Sequence, residues 1–487
     1  MPELILSVDQ GTTGTTCLVV EPDGTVRGRG CREHPQLFPA PGLVEHDPEA
    51  IWRTVLVATS EALAAASATP NDLAGIGITN QRETVVCWDA TTGRAVGPTI
   101  VWQDRRTAER CSELRDAGHA PRIRAITGLP IDPYFSATKI EWLLHNDDGV
   151  RALAAAGTLR IGTIDSWLVH RMTGGASHIT DASNAARTLL YDIHAGAWSD
   201  ELCSLFGVDP AWLPTVVASS GEVAHANSDS FSGISAPITG IAGDQQAALF
   251  GQACVTPGLA KATYGTGAFV LVNSGSEEPP VSEQLLSTVG WRIGPTDTYA
   301  LEGSVFTAGA SVQWLRDEMQ FIPTSPDVEA LARSVPDSGG VVLVPAFAGL
   351  GAPYWDAEAR GALLGMTRGT SRAHVARATL EAVAFRVKQV IVAMAGEGVD
   401  VTELRVDGGM AANDLLMQLQ ADVLGVPVVR PANVETTSLG AAYLAALGAG
   451  LYDSVEQIAG AWRAERTFEP HADADWEHAF GRFQAAT

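Results

Sequence analysis

Two stretches of this chain share one design, and that design limits what it can fold into. The first is LILSVDQGTTGTTCLVV, residues 4–20; the second is GLAKATYGTGAFVLVNSG, residues 258–275. In each, an apolar β-prone run leads into a tip of glycine and threonine, and a second apolar run leads out. An ordinary hairpin turn needs only a residue or two. Longer tips of small, hydroxylated residues also suit an anion, because backbone N–H groups can approach it closely and hydroxyls add donors. The first tip carries a carboxylate, Asp9, and no Lys or Arg precedes Arg27. A carboxylate there suits a magnesium ion that arrives with a phosphate. Taken singly, the first tip reads better as a plain hairpin. As a pair, about half the chain apart, they suggest duplicated halves that enclose one ligand.

The 487 residues leave room for two domains with their own cores, and 46% hydrophobic with 18% charged residues is a globular composition. Strand-like runs (LAGIGITN, PITGIAG) alternate with helical patterns (DPEAIWRTVLVATSEALAAA, AHVARATLEAVAFRVKQVIVAMAG), which argues an α/β architecture. The pattern breaks near Phe250–Gly258, giving expected domains over residues 1–250 and 251–487. A net charge of −24 should repel nucleic acid and anionic membranes, so neither is an expected partner. Lysine occurs only at 139, 261 and 388, and no G-x-x-x-x-G-K-[ST] sequence exists. Six cysteines without a C-x-x-C fit a reducing compartment. The longest uncharged stretch, Thr436–Tyr452, is too short for a membrane span and rich in small residues, so it reads as a closely packed buried helix. With no signal-peptide pattern either, the expected location is cytoplasmic.

Three further stretches carry candidate chemistry. GIAGDQQAALFGQ places Asp244 where a strand meets a helix, a position that suits either a helix cap or a base accepting a hydroxyl proton. GITNQRETVVCWD sets Asn80, Gln81, Arg82 and Glu83 between two apolar runs that would otherwise read as a buried hairpin. These four could be a solvated turn or a polyol site, since hydroxyls both donate and accept. Trp102, Tyr134 and Phe135 could cover the C–H faces of a small carbohydrate-like ligand, or pack in a core. LRVDGGMAANDLL offers Gly408 and Gly409 at a strand-to-helix turn, suited to a nucleotide or simply to a tight turn.

Together these stretches resemble the FGGY carbohydrate kinases over nearly the whole chain. The two signature regions stand as YFSATKIEWLLHN and GALLGMTRGTSRAHVARATLE, the first with His145 at a position where an acid, amide or basic residue is usual. ITNQRET, IVWQDRRTAE, IDPYFSATK, YGTG and VPAFAGLGAPYWD further resemble the members that phosphorylate glycerol. The resemblance implies an actin-like, ribonuclease H-like duplicated α/β fold, two domains around a nucleotide cleft. It implies ATP and Mg²⁺, a glycerol pocket of Arg82, Glu83, Trp102, Tyr134, Asp244, Gln245 and Phe269, and Asp244 as general base. Asp9 and Asp244 would lie near the metal; Thr12, Thr13, Gly14, Thr266, Gly309, Gln313, Gly409 and Asn413 would contact nucleotide. A homodimer or homotetramer is expected. Kinases of another polyol, such as erythritol, or of a ketose are the nearest alternatives, an actin-like ATPase a more distant one.

One departure stands out. Similar family members follow the first tip with an arginine that reaches the phosphates; here Thr16 takes its place and brings no charge. Thr16→Arg is therefore expected to raise turnover or tighten ATP binding. Steady-state kinetics against ATP check this, and unchanged constants would count against it.

Overall fold

The apolar runs that flank the two tips, with LAGIGITN and PITGIAG, join one large sheet. The computed structural model describes residues 3–277, 281–472 and 476–487, and among these residues thirteen strands hydrogen-bond edge to edge. Five strands of the first half lie in the order Val26–Glu33, Gly14–Val20, Leu4–Gln10, Leu73–Asn80, Pro237–Gly243. The first three pair antiparallel with one another, and the third, fourth and fifth pair in parallel. The second half repeats this: Thr296–Val305, Ala268–Gly275, Leu259–Tyr264, Glu403–Asp407, Val428–Pro431, with the same antiparallel and parallel pairings. In chain order both units read third, second, first, fourth, fifth. The duplication inferred from two tips therefore extends to whole topologies. The strands Ser220–His225 and Leu286–Ile293 join the two units.

The first helix, Pro48–Ala66, begins where Asp47 accepts a hydrogen bond from the Glu49 N–H and proline occupies the first turn. Its apolar stripe (Ile51, Val55, Ala58, Ala62) covers the first sheet. The second-half helix Arg372–Gly396 packs likewise through Leu380, Val383, Val387 and Val390. The NQRE segment differs from the hairpin its flanking runs suggested. Leu73–Asn80 joins the main sheet, whereas Val86–Asp89 pairs with Leu159–Gly162 in a separate two-stranded sheet. The chain between these sheets is therefore buried rather than solvated: Asn80, Gln81, Arg82 and Glu83 are each 2% exposed or less.

Helix Thr436–Gly448 comes from the second half but packs under the first. Its backbone carbonyls accept from Ser7 and Thr239 of first-half strands and from Ser220. It also crosses helix Asp244–Gly251, and the crossing depends on two glycines. A Cβ on Gly440 would collide with the carbonyl oxygen of Ala247, and one on Gly251 with that of Thr436. The closely packed helix expected from its small residues is thus present, with its purpose visible: two helix backbones touch at the seam between the halves. Among the described residues, no helix is long and apolar enough to cross a membrane. Gly440→Ala is expected to destabilise the fold by about 1–3 kcal/mol, since backbone on both sides cannot yield. Chemical denaturation of the variant against the parent measures it.

Candidate active site

Asp244 stands at the end of a central strand. Gly243 is the helix cap, with extended backbone, and Asp244 is the first helical residue, its carboxylate accepting from the Gln245 N–H at 2.7 Å. The cap reading of Asp244 thus gives way to a residue whose side chain is left for other work. Gly243 is itself held by Ser183, whose hydroxyl accepts from the Gly243 N–H at 2.9 Å and donates to buried Asp181. Asn184 and Asn80 bond each other in both directions behind it, at 3.0 and 3.1 Å.

Arg82 lies against Asp244, its Nε 3.2 Å from Oδ1. Its two terminal nitrogens donate to the two oxygens of Glu302 at 2.7 and 3.1 Å, and it also donates to Gln246 and to the Tyr134 hydroxyl. Glu83 accepts from Arg187 at 2.7 Å; Arg187 also reaches Glu302 at 3.3 Å and lies over the Tyr134 and Phe135 rings. Glu83 adopts a left-handed backbone (φ +62°), a costly conformation for a bulky residue. Ser136, opening the helix Ser136–Asn146, secures it by donating to the Glu83 carbonyl.

The aromatic residues reach the same place from two loops. Buried Asp104 accepts from the Val44 N–H and from Arg106, which fixes the segment carrying Trp102. The Trp102 indole meets Tyr134 edge-on at 5.5 Å and donates to the Thr12 hydroxyl at 2.9 Å, linking the aromatic wall to the first tip. That tip is tied by the Gly11 N–H on the Gly14 carbonyl, by Gln36 on Thr12 and by the His34 N–H on Thr13. Gln245 accepts from Lys261, which also donates to Thr263 at 2.9 Å on the strand leading to the second tip. Phe269 lies cross-strand from Thr263.

Around the second tip, the N–H groups of Ala308 and Ala310 bond to Thr266, and that of Gly309 to Gly265. Gly408 carries φ +85° directly over the backbone of Tyr264, a place only glycine can fill, and the space beside Gly409 is open. The Asn413 side chain is occupied as a cap, accepting from the Leu416 N–H, and Gln313 is exposed on the helix Gly309–Asp317. Thus the acceptor-side candidates Arg82, Glu83, Trp102, Tyr134, Asp244 and Gln245 are brought together. Thr266, Gly309 and Gly409 gather round the second tip, while Gln313 lies one turn into the helix that Gly309 opens and Asn413 caps the next helix after Gly409. Thr16 lies opposite Asp9 in the strand register, its hydroxyl directed at Cys31, and Arg29 and Arg32 on the next strand are paired with Glu435 and Glu61.

Electrostatics separates the carboxylates. Burial pushes the Asp9 carboxyl up to about 7, with the charges of Asp244 and Glu435 adding to the rise and a hydrogen bond from Ser438 opposing it. Burial also raises Asp244, against the pull of Arg82 and Lys261. Glu302 goes the other way: burial would raise it, but Arg187 and Arg82 hold it down at about 2. The Asp244 side chain keeps 30% of its exposure whereas that of Glu302 has none, so only the former is open to a substrate. Glu302, Arg187 and Lys261 were not singled out from the sequence. The available signal was a lone charge inside an apolar run, as in TYALEGSVF and LAKATY.

The two units of matching strand order have a family counterpart. Residues 4–251 match the N-terminal domain, and residues 260–449 the C-terminal domain, of the FGGY family of carbohydrate kinases. The chain belongs to that family. More particularly, it is 56% identical to a glycerol kinase of Aromatoleum aromaticum, covering 99% of this chain and 97% of that protein. It is 56% identical to a glycerol kinase of Trichlorobacter lovleyi over 96% of this chain and 94% of that one. The fold superposes on the glycerol kinase of Plasmodium falciparum, crystallised with ADP, with a TM-score of 0.92 at 33% identity, covering 99% and 96% of the two chains.

Arg187→Met is expected to cost about 3–5 kcal/mol of stability, because it removes the main partner of a buried Glu83. Urea denaturation measures the loss.

Proposed function

We propose that this protein transfers the terminal phosphoryl group of ATP to a terminal hydroxyl of glycerol, giving sn-glycerol 3-phosphate and ADP. The observation that carries the reading is the convergence on Asp244. A half-open carboxylate with raised proton affinity stands beside Arg82, Glu83, Gln245 and an aromatic wall of Trp102 and Tyr134. That is a pocket for a small molecule with hydroxyls on one edge and C–H groups on the other. Asp244 takes the hydroxyl proton as the oxygen forms its bond to the γ-phosphorus; the bond from that phosphorus to the β–γ bridging oxygen breaks, and ADP leaves.

The two tips would hold the phosphates through backbone N–H groups and the hydroxyls of Thr12, Thr13 and Thr266. Mg²⁺ suits this place. Asp244 is close enough to Asp9 to raise its proton affinity, and a cation with phosphate and water as its other ligands relieves that repulsion. Among the described residues there is no cluster of three or more metal-ligating side chains, and a magnesium ion bound partly through substrate needs none. When bound, it would neutralise charge on the transferring phosphate. Lys261 brings a cation from the second half close to Asp244, which partly offsets the missing arginine at position 16. We place the domain boundary at residues 250/251, at the C-terminal end of the helix that carries Asp244.

The test is ADP release from Mg-ATP with no acceptor, then with glycerol, erythritol, dihydroxyacetone or xylulose. Glycerol is expected to give the largest stimulation, and Asp244→Asn to lower its kcat by about a thousandfold. Preference for another acceptor would move the assignment within the family. Release independent of any acceptor would favour an ATPase.

A further inference from the structure

We propose that Glu302 is a positioning residue for the acceptor, reaching from the second half to fix the guanidinium of Arg82 beside Asp244. This rests on the glycerol reading above and adds to it the source of the pocket's geometry. Glu302 lies in the middle of strand Thr296–Val305, paired in register with Leu271 on one side and Leu286 on the other, so its backbone has no freedom to follow Arg82. It holds both terminal nitrogens of Arg82 in a two-pronged bond, a geometry that sets the plane of the guanidinium as well as its place. Arginine has several rotatable bonds, and the other contacts of Arg82 do not define that plane alone. Gln246 and Tyr134 are neutral acceptors at 3.1 and 3.3 Å, and Glu83 stands 3.7 Å from Nε while bonded to Arg187.

The remaining carboxylate within reach is Asp244. If Glu302 loses its charge, the two terminal nitrogens of Arg82 have no anionic partner in a buried site, and the guanidinium is drawn toward Asp244. It then occupies the space meant for the acceptor hydroxyl. Among the described residues, the Glu302 side chain hydrogen-bonds to Arg82 and Arg187 and to no residue at either tip, so the loss falls on the acceptor rather than on the nucleotide.

The experiment begins with the parent enzyme and glycerol, because absence of glycerol turnover there overturns the function proposed above and not this inference. Given turnover, Glu302→Gln is expected to raise the glycerol KM by at least about tenfold, the worth of one charge-assisted hydrogen bond. The ATP KM should stay within about twofold, and Glu302→Asp should recover part of the glycerol affinity. A structural role alone would lower the amount of folded enzyme, or shift both KM values together. The double variant Arg82→Gln/Glu302→Gln removes the pair without leaving a lone buried charge, and so remains measurable if Glu302→Gln does not fold. Since Glu302 acts through Arg82, the double variant should match Arg82→Gln alone in glycerol KM. A double variant clearly worse than Arg82→Gln, or a Glu302→Gln enzyme with unchanged glycerol KM, overturns the proposal.

Discussion

The buried ion pair between Arg82 and Glu302 is the contact on which the site depends. Both side chains are withdrawn from water, and neither could remain there alone: an unpaired buried charge costs several kcal/mol, and the pair recovers that only with good geometry and further hydrogen bonds. Here the further bonds exist, through Gln246, Tyr134 and Arg187. Because the partners are 220 positions apart, the pair also links the two halves at the base of the acceptor pocket. A few residues away, the Gly251–Gly440 crossing locks the same seam by backbone contact. One lock is electrostatic and the other steric. Between them they hold the floor of the cleft while the two tips remain available to a ligand.

The duplicated units share strand order but divide the labour. The first inserts a long segment between its fourth and fifth strands, and that segment supplies Arg82, Glu83, Trp102, Tyr134 and Arg187. The second has only residues 408–427 between its own fourth and fifth strands and builds glycine-lined space round its own tip. Carboxylates follow the same division. Asp9 and Asp244, raised in proton affinity, stand at strand ends where substrate arrives, whereas Glu302, held ionised by two arginines, stays in the floor. An ionised floor and a basic rim suit a site that must orient a neutral polyol and then accept its proton.

Much of the fold could be read from local pattern. The two tips, the strands LAGIGITN and PITGIAG, and the helix from Thr436 all lie where periodicity and small residues put them. The NQRE segment was ambiguous because its flanking runs look alike, and nothing local says that they enter different sheets. Asp244 was ambiguous for a similar reason: a strand-to-helix aspartate caps most often, and only the extended backbone of Gly243 shows that the cap lies one residue earlier. Asn413 reads as a nucleotide contact by resemblance, and its side-chain oxygen also caps the helix it opens, a partner four residues of local sequence could suggest.

Local composition by itself determined the elements: alternation of apolar runs, glycine where backbones must touch, and hydroxyl-rich tips with no cation. These depend on neighbours within a few residues, so the chain's order carries them. The partners of the charges were decided only by tertiary structure. Glu302 and Lys261 each sit among apolar neighbours in a strand, and a buried charge is tolerable only when an opposite charge or an acceptor meets it from elsewhere. Which residue that is depends on how two sheets and the helices between them come together in space, a relation between distant segments that no stretch of sequence contains.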